Sequence, residues 1–89
     1  GAAYYNDLGD PRRAIEYYEQ DLKIAHEIGD VMRAATTSFN LAVALANQGQ
    51  RSEALHRAEY AAQIFAQIGH AQYAQQAQQL IAQIRGKKE

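Results

Sequence analysis

The chain has 89 residues, a formal net charge of −1, three histidines and no cysteine. That leaves room for one small domain and no second core. It excludes a disulfide framework, a thiol nucleophile and a cysteine metal site, and a near-neutral balance with no basic face argues against nucleic acid.

No apolar run approaches the ~18 residues that a membrane span needs, and no signal-peptide pattern appears. A cytoplasmic setting without a membrane is expected. The basic clusters Arg12–Arg13 and Arg85, Lys87, Lys88 read as solvated ends rather than phosphate readers. Alanine and glutamine dominate and both favour helix, so an all-α fold is expected. The opening residues already have helical spacing and lack an initiator Met, so the chain is read as a piece of a longer protein.

Taken in chain order, Ala2 to Leu8 reads as the last turns of a helix, halted at Gly9. Asp10 and Pro11 then restart it. The carboxylate can accept from free amide hydrogens, and proline needs no donor at the first helical position. Ala14, Ile15, Tyr18, Leu22, Ala25 and Ile28 follow at helical spacing as a first apolar stripe. Glu19 and Lys23 make an i, i+4 pair on its solvated face. Gly29 ends that helix, and Asp30 repeats the Gly-Asp restart. The second stripe is Ala34, Leu41, Ala42 and Leu45, flanked by Ala35 and Ser38. After Gly49, Gln50 is a poor cap and Ser52 is expected to take that role. Ala54, Leu55, Ala58, Ala61, Ala62, Phe65 and Ile68 form a third stripe. Tyr73, Ala77, Leu80, Ile81 and Ile84 form a fourth.

Glycines at 9, 29, 49 and 69 thus recur every 20 residues. Glycine suits the left-handed residue just past a helix end, so each marks a stop and leaves about 17 residues for the helix between. Tight turns make successive helices antiparallel. The expectation is four full helices and one N-terminal stub. Ala14, Ala42, Ala54 and Ala74 fall where backbones cross closely, and a larger residue at Ala14 or Ala54 is expected to cost about 1–3 kcal/mol.

A longer period overlies this one. Ile24, Ile28, Gly29 and Ala34 recur as Ile64, Ile68, Gly69 and Ala74, with 64 − 24 = 40 and 74 − 34 = 40. A helix pair too small to bury its own apolar side, copied so that each copy shelters the next, marks a stacked array.

The pattern resembles the tetratricopeptide repeat. Leu41-Ala42-x-x-Leu45 with Ala54-x-x-x-Ala58, and Ala2-x-x-Tyr5 with Ala14-x-x-x-Tyr18, match that family's small and large positions. The segment GDPRRAIEYYEQDLKIAHEIGD is similar to the family's second helix, and Ile81-Ala82 opens a third unit in register. The period of 40 departs from the family's about 34 residues and its closing proline. It is similar to the lengthened repeats of bacterial signalling ATPases and eukaryotic spindle-orientation adaptors. Ser38 or Phe39 stands where an aromatic opens the family's first helix. Asp21 stands where the family prefers alanine, and Ala61 fills the matching place one period on.

The resemblance implies a right-handed α-solenoid of antiparallel helix hairpins. Residues 1–28 would be a partial first repeat, 30–68 a second, 70–85 a capping helix and 86–89 a polar tail. It implies a protein–protein interaction module whose concave face takes a peptide or a partner protein. Carried over by position, that face involves Asn6 with Ala3 and Asp7, then Thr36, Phe39, Asn40, Val43 and Asn47, then Gln76, Gln79 and Gln83. None of these is Lys or Arg, so the carboxylate clamp of some family members is absent. The alternative for Phe39 and Asn40 is a ring packed inside the array beside a plain polar face.

The outward residues of 70–85 are mostly glutamine, a soluble face of the kind that ends an array. At the other end, Tyr4, Tyr5 and the inner face of 13–28 are expected to lie uncovered, and uncovered apolar faces find partners. Self-association through that end, or service as a structural spacer, is the rival to peptide binding.

No catalysis, cofactor or metal is expected. His26, His56 and His70 lack metal spacing, and Gly29 interrupts the face that His26 and Asp30 would share. Ser52 and His56 lie one turn apart, but a nucleophile and base need a third orienting group and an oxyanion site. Ser52 therefore reads as a helix-start residue. The pairs Tyr4–Tyr5 and Tyr17–Tyr18 read as one ring inside and one outside, because helix neighbours are ~100° apart.

Overall fold

The structure, a computed structural model, describes residues 10–86. The expected stub at 1–8, Gly9 and the tail from 87 onward lie outside them. Among the described residues the chain is all-α, with no strand. Its helices are α1 (Pro11–Ile28), α2 (Val31–Asn47), α3 (Arg51–Gln67) and α4 (Ala71–Gly86). Gly86 therefore closes the last helix instead of opening the tail.

One turn design is used three times. Gly29 takes a left-handed φ of 72°; its N–H donates to His26 O at 3.2 Å, and Asp30 N–H donates to Ala25 O at 2.9 Å. This double closure satisfies carbonyls that the helix end leaves open. Gly49 with Gln50 and Gly69 with His70 make the same two bonds, and a Cβ on any of the three glycines would meet nothing within 4 Å. Backbone angle, not crowding, selects glycine there.

The residue after each glycine also begins the next helix. Gln50 N–H donates to Leu45 O while Ala54 N–H donates to Gln50 O, both at 2.9 Å. That double duty places the helix start at Arg51 and puts Ser52 inside the first turn, so Ser52 is not the cap. Asp10 and Asp30 do cap, accepting from Arg12 N–H at 3.1 Å and Arg33 N–H at 3.0 Å.

With such short turns each helix lies antiparallel to its neighbour. Arg51, at the start of α3, donates to Ile84 O at the end of α4 through Nε at 3.1 Å and Nη2 at 2.7 Å. A cation there suits the negative end of the helix dipole. Arg85 adds an ion pair with Glu59 at 3.2 Å.

The core centres on α2, which packs against both α1 and α3. Leu41 and Leu45 are its largest fully buried side chains, and Ala42, Ala54 and Ala58 have no exposed surface. Ala14 is buried likewise, whereas Ala74 is only half-buried. Small side chains let the backbones approach, so an added methylene at Ala14 or Ala54 has nowhere to go.

Two isoleucines of the stripes depart from expectation, as does Tyr73. Ile28 is 63% exposed and Ile68 40%. Each is the last side chain before a glycine turn, at the end of its helix. The Glu19–Lys23 pair is also not closed; exposed pairs of this kind gain little over solvation.

Candidate functional site

A cleft of about 280 Å³ opens between α2 and α4, above the end of α3. On α2, Met32, Thr36, Phe39 and Asn40 recur three or four apart and so line one face. Across from them stand Tyr73 and Gln76 of α4, three apart on theirs. Phe65, from the last turns of α3, forms the floor and is 3% exposed.

The aromatic wall is built as a set. Tyr73 lies 5.3 Å from Phe65 between ring centroids, tilted by 55°, and stacks on His70 at 5.4 Å and 25°. His70 meets Phe65 edge-on at 6.5 Å. Such offset and edge contacts favour aromatic rings over flat sandwiches. Tyr73 keeps 42% of its surface exposed, which moves it from the core stripe to the rim of the cleft.

Polar groups along the cleft are uncharged. Asn40 and Gln76 are exposed amides, each able to donate and accept. Thr36 Oγ1 donates its proton to Met32 O at 3.0 Å and so offers only acceptor capacity outward.

The nearest cation in sequence, Arg33, is occupied elsewhere. Its guanidinium reaches back to Asp21 on α1, with Nε 3.1 Å from Oδ1 and Nη2 forming a second, ion-paired contact. Thr37 Oγ1 donates to the other carboxylate oxygen at 2.6 Å. The hydrogen bonds from Arg33, and then from Thr37, hold the Asp21 carboxyl below its ordinary range despite its burial. Asp21, an unexplained departure in the sequence, is thus the centre of a polar contact between α1 and α2. A further link joins α1 to α3, where His26 Nε2 and Tyr60 Oη lie 2.8 Å apart.

Of the residues expected on a binding face, Thr36, Phe39, Asn40 and Gln76 come together in the cleft. Val43, Asn47, Gln79 and Gln83 are exposed on the same two helices but do not line it. Asn6 lies outside the described residues. Phe39 is half-buried and packs against the core while also lining the cleft, so its two readings are not exclusive. Sequence reasoning missed Met32, Phe65 and Tyr73. Met32 lies four residues before Thr36, and Tyr73 three before Gln76; that spacing was the available signal.

Among the described residues, no three His, Cys, Asp or Glu side chains converge as metal ligands. No helix among them is long and apolar enough to cross a membrane. No family model matches the chain, and no curated protein or solved structure matches it. A tetratricopeptide relationship therefore rests on the residue pattern alone.

Proposed function

We propose that this chain is a protein-interaction module of the tetratricopeptide type, a right-handed solenoid of helical hairpins that holds a peptide or partner protein. It works without catalysis, cofactor, nucleic acid or membrane, in the cytoplasm. The observation that carries this reading is the cleft between α2 and α4. These helices occupy corresponding places one 40-residue period apart, Thr36 answering to Gln76, and their flanks meet around an aromatic floor. A concave, apolar cleft with a few polar groups is the usual form of a ligand site.

The surface of α4 supports the same reading. Met32, Ala35 and Phe39 of α2 pack beside Ile64 and Phe65 of α3. One period later their places are taken by Gln72, Gln75 and Gln79. The face that receives the next helix in one copy is thus amide-covered in the following copy, a soluble face of the kind a capping helix carries.

Replacing Phe39 and Asn40 by alanine tests the reading. Partner capture by the chain is expected to fall sharply while circular dichroism keeps its helical signature; capture that survives rejects the groove. A second reading, self-association, is favoured by Ile24, Ile28 and Val31, which are 44%, 63% and 48% exposed around the first turn. Light scattering decides it: a monomer at high concentration removes that reading.

A further inference from the structure

We infer that the cleft between α2 and α4 selects an uncharged stretch of peptide carrying one large apolar side chain, and does not select a charged motif or a chain terminus. The inference rests on the groove reading above and narrows its ligand.

Size gives the first argument. At about 280 Å³ the cleft is at or below the smallest pockets that take drug-sized ligands, and suits one side chain, not a packed helix face. The floor argues for what that side chain is. Phe65 is already buried, with His70 edge-on and Tyr73 tilted against it, so it offers a rigid apolar base. Tyr73 still exposes ring surface above it, and covering that surface with an aliphatic or aromatic group is favourable.

Charge gives the second argument. None of the lining side chains is charged. Arg33, on the flank of α2, is committed to Asp21 of α1, so it does not offer its guanidinium to the cleft. A carboxylate or ammonium entering the cleft would lose solvation without meeting an opposite charge, and that loss is costly. An amide backbone fares differently. Asn40 and Gln76 present donors and acceptors on either side, matching the alternating N–H and C=O of an extended chain.

The test is a selection of phage-displayed random dodecapeptides on the folded chain, followed by affinity measurements on synthetic copies. Asn40→Asp is the main probe variant, being isosteric and at an exposed position; Phe39→Ala removes the apolar wall. Selected peptides are expected to share a Phe, Leu or Met flanked by uncharged residues. They should bind equally with blocked and free ends, and weaken about fivefold or more with Asn40→Asp. Peptides that instead share an acidic or basic residue, or need a free carboxylate, and still respond to Asn40→Asp, overturn the neutral anchor and leave the groove standing. Peptides indifferent to both substitutions, or no enrichment at all, overturn the groove as well.

Discussion

The contact between α1 and α2 and the contact between α3 and α4 fall at corresponding places in the 40-residue period, yet three matched positions are polar in the first and largely apolar in the second. Asp21, Arg33 and Thr37 form the first through hydrogen bonds and an ion pair. One period on, the same places hold Ala61, Tyr73 and Ala77, two of them without exposed surface. All three have changed together. A half-buried carboxylate needs its donors, and donors without the carboxylate would be left unsatisfied, so intermediate combinations are penalised. The repeat preserves where helices touch and leaves the chemistry of the touch open. The exchange also bears on the cleft, because the position occupied by Arg33 in one copy carries the rim tyrosine in the next.

Breaking that comparison gives the largest effect. Ala61→Asp alone places a carboxylate in the apolar contact without its donors and is expected to cost about 3–5 kcal/mol, measured by urea denaturation. Adding Tyr73→Arg and Ala77→Thr should recover part of the loss; no recovery would mean that the two contacts are not interchangeable. In the opposite direction, Asp21→Ala strands the buried Thr37 hydroxyl and is expected to cost about 1–2 kcal/mol. Replacing all three polar residues by their counterparts, Asp21→Ala with Arg33→Tyr and Thr37→Ala, should cost less than the single change.

Acid separates the two contacts more gently. Because the folded-state pKa of Asp21 lies below its ordinary 3.8, the stability it contributes is complete above that ordinary value. It is lost as pH falls through the lower folded-state value. A melting-temperature series below about pH 4 should therefore decline less steeply for Asp21→Asn than for the parent; identical slopes would show that the contact is not formed in solution.

The smallest expected change is a gain. Ser38 is completely buried on α2, and its hydroxyl has no hydrogen-bond partner among the described residues. Ser38→Ala removes that unsatisfied group at nearly constant volume and should raise stability by up to about 1 kcal/mol. A loss would point to an undetected partner for the hydroxyl.

Much of the fold was legible in glycine spacing. Gly29, Gly49 and Gly69 each sit in the left-handed conformation their positions implied, because only backbone angles are at stake there and those are a local matter. Local signals failed where a neighbour decided. Ile28 and Ile68 obey the apolar period but sit at helix ends beside the turns, and periodicity reports a face without saying how far its cover extends. Ser52 is a good capping residue set aside by a turn in which Gln50 ends one helix and starts another. In the candidate site, Thr36, Phe39, Asn40 and Gln76 were reached through the family resemblance, and the cleft brings them together. Tyr73 shares the register of Gln76, but its contact with the Phe65 floor comes from another helix and could not be read from spacing.

By itself, then, the sequence determined the four helices of the described residues, the turns between them and which residues repeat, since these follow from backbone angles and short-range spacing. Tertiary structure alone decided that Asp21 meets Arg33 and Thr37, that Phe65 floors a cleft, and that Tyr73 belongs to its rim. Those outcomes depend on which side chains meet across helices, and contact energies between distant residues leave no periodic trace along the chain.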